Sequence, residues 1–151
     1  MTERMTEGMR IGDFAALAGV STRTLRYYEE RGIFTPTGHT AGGERRYRPE
    51  DADQLKRILE LRDGLGLTLD EVKTFIDSER RLAALRSAFK ENAGRPEVQA
   101  HLREEAIAIR REMVERIDAK MGQLKSLRKE LVASIERSEA ALAELRQAVV
   151  P

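Results

Sequence analysis

Apolar residues recur at helical intervals along most of the chain, with one stretch in the first third where they do not. In "RIGDFAALAGVS", Ile11, Phe14, Leu17 and Val20 lie three residues apart, the spacing of one helix face. Gly19 ends this short helix, since glycine takes positive φ freely. Ser21 can cap a second helix by accepting a backbone N–H bond, and that helix runs from about Thr22 to Arg31 and stops at Gly32. At 100° per residue, Leu25 and Tyr28 fall on its inner side, while Arg23, Arg26, Tyr27 and Glu30 cluster on the other.

Ala15, Gly19 and Leu25 have the spacing of a helix-turn-helix: a small residue for close approach, a glycine for the turn, a leucine to anchor the second helix. An ordinary helical hairpin would satisfy the same three positions. In "TPTGHTAGGERRYRPED" the helical period is lost. Pro36, Gly38, Gly42 and Gly43 predict two short extended limbs joined by a glycine turn. The second limb carries Arg45, Arg46, Tyr47 and Arg48, so a basic hairpin follows the helix pair and reads as a wing that contacts phosphates.

Beyond the hairpin the helical period returns. Pro49 opens a third helix with Glu50, Asp51 and Asp53 in its first turn, where the helix dipole favours acids. Leu55, Ile58 and Leu59 continue it to "GLG" at 64–66. Thr68 and Glu71 form a capping box for a fourth helix with Leu69, Val72, Phe75 and Ile76 on one face. From residue 79 the chain reads as nearly unbroken helix: a segment closed by Gly94 and Pro96, then a long one from 97 to about 148. Positions 117, 121, 124, 128, 131, 135, 138, 142, 145 and 149 alternate as d and a sites, and eight of these ten are apolar. That is a coiled-coil seam, carried by Ile117, Met121, Leu124, Leu131, Ile135, Leu142 and Leu145. The competing reading folds this helix back on residues 79–92 of its own chain.

Composition narrows the chemistry. The 151 residues are 40 % hydrophobic and 35 % charged, with no cysteine, two histidines and 5 % aromatics. A disulfide framework and a thiolate metal site are excluded. No apolar run approaches the roughly 20 residues of a membrane span, and "MTERMTEGMR" lacks the apolar core of a signal peptide, so a cytoplasmic location is expected. Net charge is only +1, yet residues 21–48 hold six arginines against three glutamates, a focused basic surface. His39 and His101 read as surface residues. Phe75, Phe89, Ile109 and Met113 read as core positions rather than the lining of a ligand pocket. No nucleophile–base pair, phosphate loop or paired-carboxylate arrangement stands out, so no enzyme and no cofactor are expected.

The segments "RIGDFAALAGVSTRTLRYYEERGIFTP" and "GGERRYRPEDADQLKRILELRDGLGLTLDEVKTFI" resemble the MerR-type, or mercury-resistance regulator, family of transcription regulators. The resemblance covers about residues 10–77. It implies a mainly α fold: a winged helix-turn-helix at 10–77 after a flexible N-terminus (1–9), then a linking helix (78–96) and a dimerisation helix (97–149). It implies two modules joined by an antiparallel coiled coil on an inverted-repeat promoter operator. There the dimer bends and untwists DNA whose −35 and −10 elements are too far apart, realigning them for RNA polymerase. Arg23, Arg26, Tyr27 and Tyr28 match the helix that enters the major groove, and Arg46 and Tyr47 match wing positions. The chain departs from the family at Glu44, which replaces an aromatic at the wing tip. A carboxylate near phosphate is unfavourable unless it pairs with Arg45 or Arg46. Metal- and redox-sensing members use cysteines, so such sensing is not expected; whether a small-molecule effector exists stays open. Two other readings also stay open: a coiled-coil adaptor for a protein partner, and a repressor or architectural DNA binder with no effector.

Overall fold

The computed structural model describes residues 8–149. The chain divides into two compact units, Met1–Ala88 and Phe89–Pro151. The described elements are helices α1 (Ile11–Ala18) and α2 (Thr22–Glu30), strands β1 (Gly38–His39) and β2 (Arg45–Arg46), and helices α3 (Asp51–Leu59), α4 (Leu69–Glu91) and α5 (Pro96–Val149). Most of the expected flexible N-terminus, residues 1–7, lies outside the described residues. Met9 belongs to the fold: its N–H and carbonyl exchange hydrogen bonds with Tyr47 at 2.7 and 3.0 Å, adding a bridge to the hairpin.

Local signals in the first unit behave as their residue types dictate. Gly19 takes φ 70°, and the Val20 N–H reaches the Ala15 carbonyl at 3.1 Å, closing α1. Ser21 caps α2 by accepting from the Thr24 N–H at 3.0 Å. The Thr68–Glu71 box is reciprocal, with N–H-to-oxygen distances of 2.7 and 3.2 Å. β1 and β2 pair antiparallel with Gly38 opposite Arg46 and His39 opposite Arg45. A side chain at Gly38 would place its Cβ 2.8 Å from the Arg46 carbonyl oxygen, so this register requires glycine.

α3 begins at Asp51, two residues after Pro49. Past Leu59 the helix widens into a π turn, Glu60–Gly64, in which the Leu65 N–H bonds the Glu60 carbonyl at 3.1 Å. α4 is one continuous helix, so the boundary expected between residues 77 and 78 falls inside it. The core of this unit gathers Phe14, Leu25, Tyr28, Ile33, Phe34, Tyr47, Leu55, Ile58, Leu61, Val72, Phe75 and Ile76, all buried. Phe14, Phe34 and Tyr47 stack with centroids 5.1–6.2 Å apart, a geometry that adds about 0.5–1.5 kcal/mol per pair beyond area burial.

The second unit is dominated by α5, whose 54 residues span roughly 80 Å at 1.5 Å per residue. At its start, the Gln99 amide donates to the Phe89 carbonyl at 3.1 Å, and the Arg103 guanidinium lies 4.7 Å from the Phe89 ring centroid. Ile109 is buried. From Ile117 onward the large apolar residues of α5 are exposed, including Ile117, Met121, Leu124, Leu131, Ile135, Leu142 and Leu145.

Candidate nucleic-acid interface

The two faces of α2 separate as its sequence requires. Leu25 and Tyr28 are fully buried, while Arg23, Arg26, Tyr27 and Glu30 are exposed. Tyr27 is 38 % exposed, and the Arg31 guanidinium sits 5.1 Å from its ring centroid. The cation over the ring is an attractive contact that braces an exposed aromatic on the outer face of the helix. Tyr28 instead turns inward, and its hydroxyl accepts from the Arg62 guanidinium.

The C-terminal end of α2 is secured from a distance. Gly32 turns the chain at φ 68°, and the Ile33 N–H bonds the Tyr28 carbonyl at 2.9 Å. The freed carbonyls of Gly32 and Ile33 each accept from Arg80 of α4 at 2.8 Å. Such orphan acceptors at a helix exit need partners, and one guanidinium serves both. Gln54 of α3 pairs with the backbone of Thr35 in both directions, at 2.9 and 3.0 Å.

The hairpin is anchored by two carboxylates. Asp51, 1 % exposed, accepts from the Thr37 N–H through both oxygens at 3.2 Å and from the Arg48 N–H at 2.9 Å. Expected only to favour the α3 dipole, it in fact staples both ends of the wing. Glu29, on the inner flank of α2, receives the Tyr47 hydroxyl and the Arg45 guanidinium. Burial foremost, then the hydrogen bond to Glu29 and its charge, push the Tyr47 hydroxyl well above its ordinary pKa.

Of the wing residues expected at DNA, Arg45 is exposed, Arg46 is largely covered and Tyr47 is buried. Glu44 pairs with Arg46 at 3.1 Å, which meets the condition set by a carboxylate at the wing tip. Arg10, Arg26, Glu29, Glu30 and the residues Glu44–Tyr47 line one groove between α2 and the wing. Arg23, Arg26, Tyr27 and Arg45 are thus outward groups, whereas Tyr28 and Tyr47 are internal supports. The roles of Glu29, Asp51, Gln54, Arg62 and Arg80 carry no local sequence signature. Each bonds at least one partner that lies 14–48 residues away. Among the described residues no group of His, Asp or Glu could hold a metal, and no helix is long and apolar enough to cross a membrane.

An exposed helix bearing arginines and a tyrosine, beside a basic hairpin, is the architecture of a winged helix-turn-helix DNA-binding module. The family model "MerR HTH family regulatory protein" matches residues 9–79. The ZntR-homolog transcriptional regulator of Haemophilus influenzae is 32 % identical over 114 residues, 70 % of this chain and 84 % of that protein. The chain belongs to the MerR family of helix-turn-helix transcription regulators. The regulator YfmP of Bacillus subtilis is 34 % identical over 76 residues, and the match spans 50 % of this chain and about half (54 %) of that protein. The N-terminal part of MtaN, a Bacillus subtilis multidrug transporter activator, superposes over 76 % of this chain and 96 % of its own, at 26 % identity and a TM-score of 0.41.

Proposed function

We propose that this chain is a cytoplasmic, homodimeric regulator that binds an inverted-repeat promoter operator and acts by distorting it, not by catalysis. The 10–77 module places α2 in the major groove, with Arg23 and Arg26 donating to base edges or phosphates and Tyr27 to a phosphate. Arg45 and Arg46 serve the adjoining backbone, and Tyr28 and Tyr47 hold the helix and wing from beneath. Residues 78–96 link this module to the 97–149 helix. Ile117, Met121, Leu124, Leu131, Ile135, Leu142 and Leu145 form the seam with a second copy. Bending and untwisting the operator between the half-sites alters how RNA polymerase meets the promoter.

The observation that carries this reading is the outward face of α2, where two arginines and a phenol share a face next to a basic wing. A protein-docking face would be depleted of charge at its centre. The exposed seam of α5 supports the dimer, since each half-exposed leucine leaves in water roughly 1–2 kcal/mol of apolar burial that pairing would recover.

The test is a footprint on the DNA upstream of its own gene with a reagent sensitive to distorted base pairs. Two protected half-sites flanking a hyper-reactive centre are expected. Absence of protection there and on random genomic fragments at low salt would overturn the proposal in favour of a coiled-coil adaptor.

A further inference from the structure

Arg45 and Arg46 of the wing are held by acids in different ways, and the difference has a consequence for specificity. Arg45 is clamped to Glu29, but its side chain remains 62 % exposed. Glu29 therefore holds this arginine without hiding it. Arg46 is only 13 % exposed and is paired with Glu44 of its own hairpin, itself 68 % exposed. Its Nε is buried without an acceptor among the described residues. Arg46 is thus a cation that the wing was expected to offer and that is instead covered and paired with Glu44, with one of its donors unmet.

We propose that Glu44 is a specificity-determining residue, a latch that withholds Arg46 from DNA until the wing is pressed against a phosphate. The proposal rests on the DNA-binding reading above. A loosely bound, non-specific complex draws nearly all its affinity from cations that displace counterions. With Arg46 latched, the wing contributes one fewer cation to such encounters. On the operator, the seated α2 brings a phosphate to the wing. That phosphate offers two oxygens to the guanidinium, and an Arg46 side chain swung out to meet it brings the Nε donor from its buried place to an acceptor. The exposed Glu44 is then released to water. Affinity for random sequence is thereby lowered while the contact at the correct site is kept.

The experiment measures binding of the full-length protein to a random duplex and to the footprinted operator across a salt series, for wild type, Glu44→Gln, Arg46→Gln and the double variant. Glu44→Gln is expected to steepen the salt dependence on random DNA by about one unit, one more counterion released. It is expected to tighten that binding severalfold, while moving the operator slope far less. In the Arg46→Gln background the same Glu44→Gln step should no longer steepen the random-DNA slope. If Glu44→Gln steepens both slopes equally, or still acts when Arg46 is absent, Glu44 merely repels phosphate and the latch is overturned. An unchanged random-DNA slope overturns it as well. A wild-type protein that binds neither duplex at low salt would instead refute the DNA-binding reading itself.

Discussion

Arg80 of α4 and Ile33, just past the end of α2, are joined by a hydrogen bond of 2.8 Å from guanidinium to carbonyl oxygen. The same guanidinium serves the Gly32 carbonyl at 2.8 Å and approaches Asp77 and Gln54 at 3.3 Å. One side chain thus fixes the exit of α2 to α3 and α4. Arg80→Ala is expected to cost on the order of 1–2 kcal/mol, as hydrogen bonds from charged groups do. Lysine should restore little of it, because a single ammonium cannot span two carbonyls as the planar fork does. Urea unfolding of the two variants checks this, and equal stability of wild type and Arg80→Ala would refute it.

Asp51 presents a sharper case because it is buried. Its two oxygens take the N–H groups of Thr37 and Arg48. Asp51→Asn keeps the shape but turns one acceptor into a donor facing donors. An amide oxygen in the Oδ2 position still takes both N–H groups, so a loss of about 1–2 kcal/mol is expected from the amide NH2 that then faces the Thr37 N–H and from the lost charge on the acceptor. Chemical denaturation would reveal it, together with faster hydrogen exchange at the Thr37 and Arg48 amides.

Much of this module was legible along the chain, and the reason is distance in sequence. The Gly19 turn, the Ser21 cap and the Thr68–Glu71 box involve residues one to five apart, so residue type alone specifies them. The division of α2 followed from 100° per residue, which separated Tyr27 from Tyr28. Tyr47 was harder to place. A strand of two residues is too short for alternation to show which face is inward, and the phenol turned out to complete a stack with Phe14 and Phe34. Glu29, Arg62 and Arg80 were silent because their partners lie 16–48 positions away and meet only once the helices pack. Glu44 was recognised as a departure, but how deeply its partner Arg46 is covered depends on the folded hairpin.

Tyr47 makes stability depend on alkaline pH. Its hydroxyl is held above the ordinary value of 10.0 by burial and by Glu29, so the folded state keeps the proton more tightly than the unfolded chain. The stabilisation is complete below the unfolded value and is lost as pH climbs past it. Tyr47→Phe should be less stable than wild type at neutral pH, having lost the bond to Glu29. The gap should narrow between about pH 9 and about pH 11. Melting temperatures of both proteins across that range are the check, and parallel curves would contradict the assignment.

The neighbouring tyrosines should separate under the same substitution. Tyr28→Phe removes only an acceptor for Arg62, so a stability loss within about 1 kcal/mol is expected. Tyr27→Phe should leave stability within about 0.5 kcal/mol, yet weaken operator binding by roughly tenfold through a lost phosphate bond, about 1.4 kcal/mol. Thermal unfolding paired with a binding titration distinguishes them. A Tyr27→Phe protein that binds as tightly as wild type would remove Tyr27 from the interface.

The seam of α5 offers a test of assembly that leaves the DNA-facing module intact. Leu124 is 58 % exposed in the single chain and lies at a position that a second copy is proposed to cover. Each dimer would bury its exposed part twice, so Leu124→Glu forfeits about 2–3.5 kcal/mol of apolar burial, before the cost of placing two carboxylates in the seam. Sedimentation should show dimer for wild type and monomer for the variant at micromolar concentration. Leu65→Glu is the matched control: Leu65 is 67 % exposed but lies outside the seam, and it should sediment as wild type does. Loss of the dimer should weaken operator binding steeply, because one half-site then supplies all the contacts that two had shared. If Leu124→Glu remains a dimer, the seam runs elsewhere on α5 and the pairing positions from Ile117 to Leu145 must be reassigned.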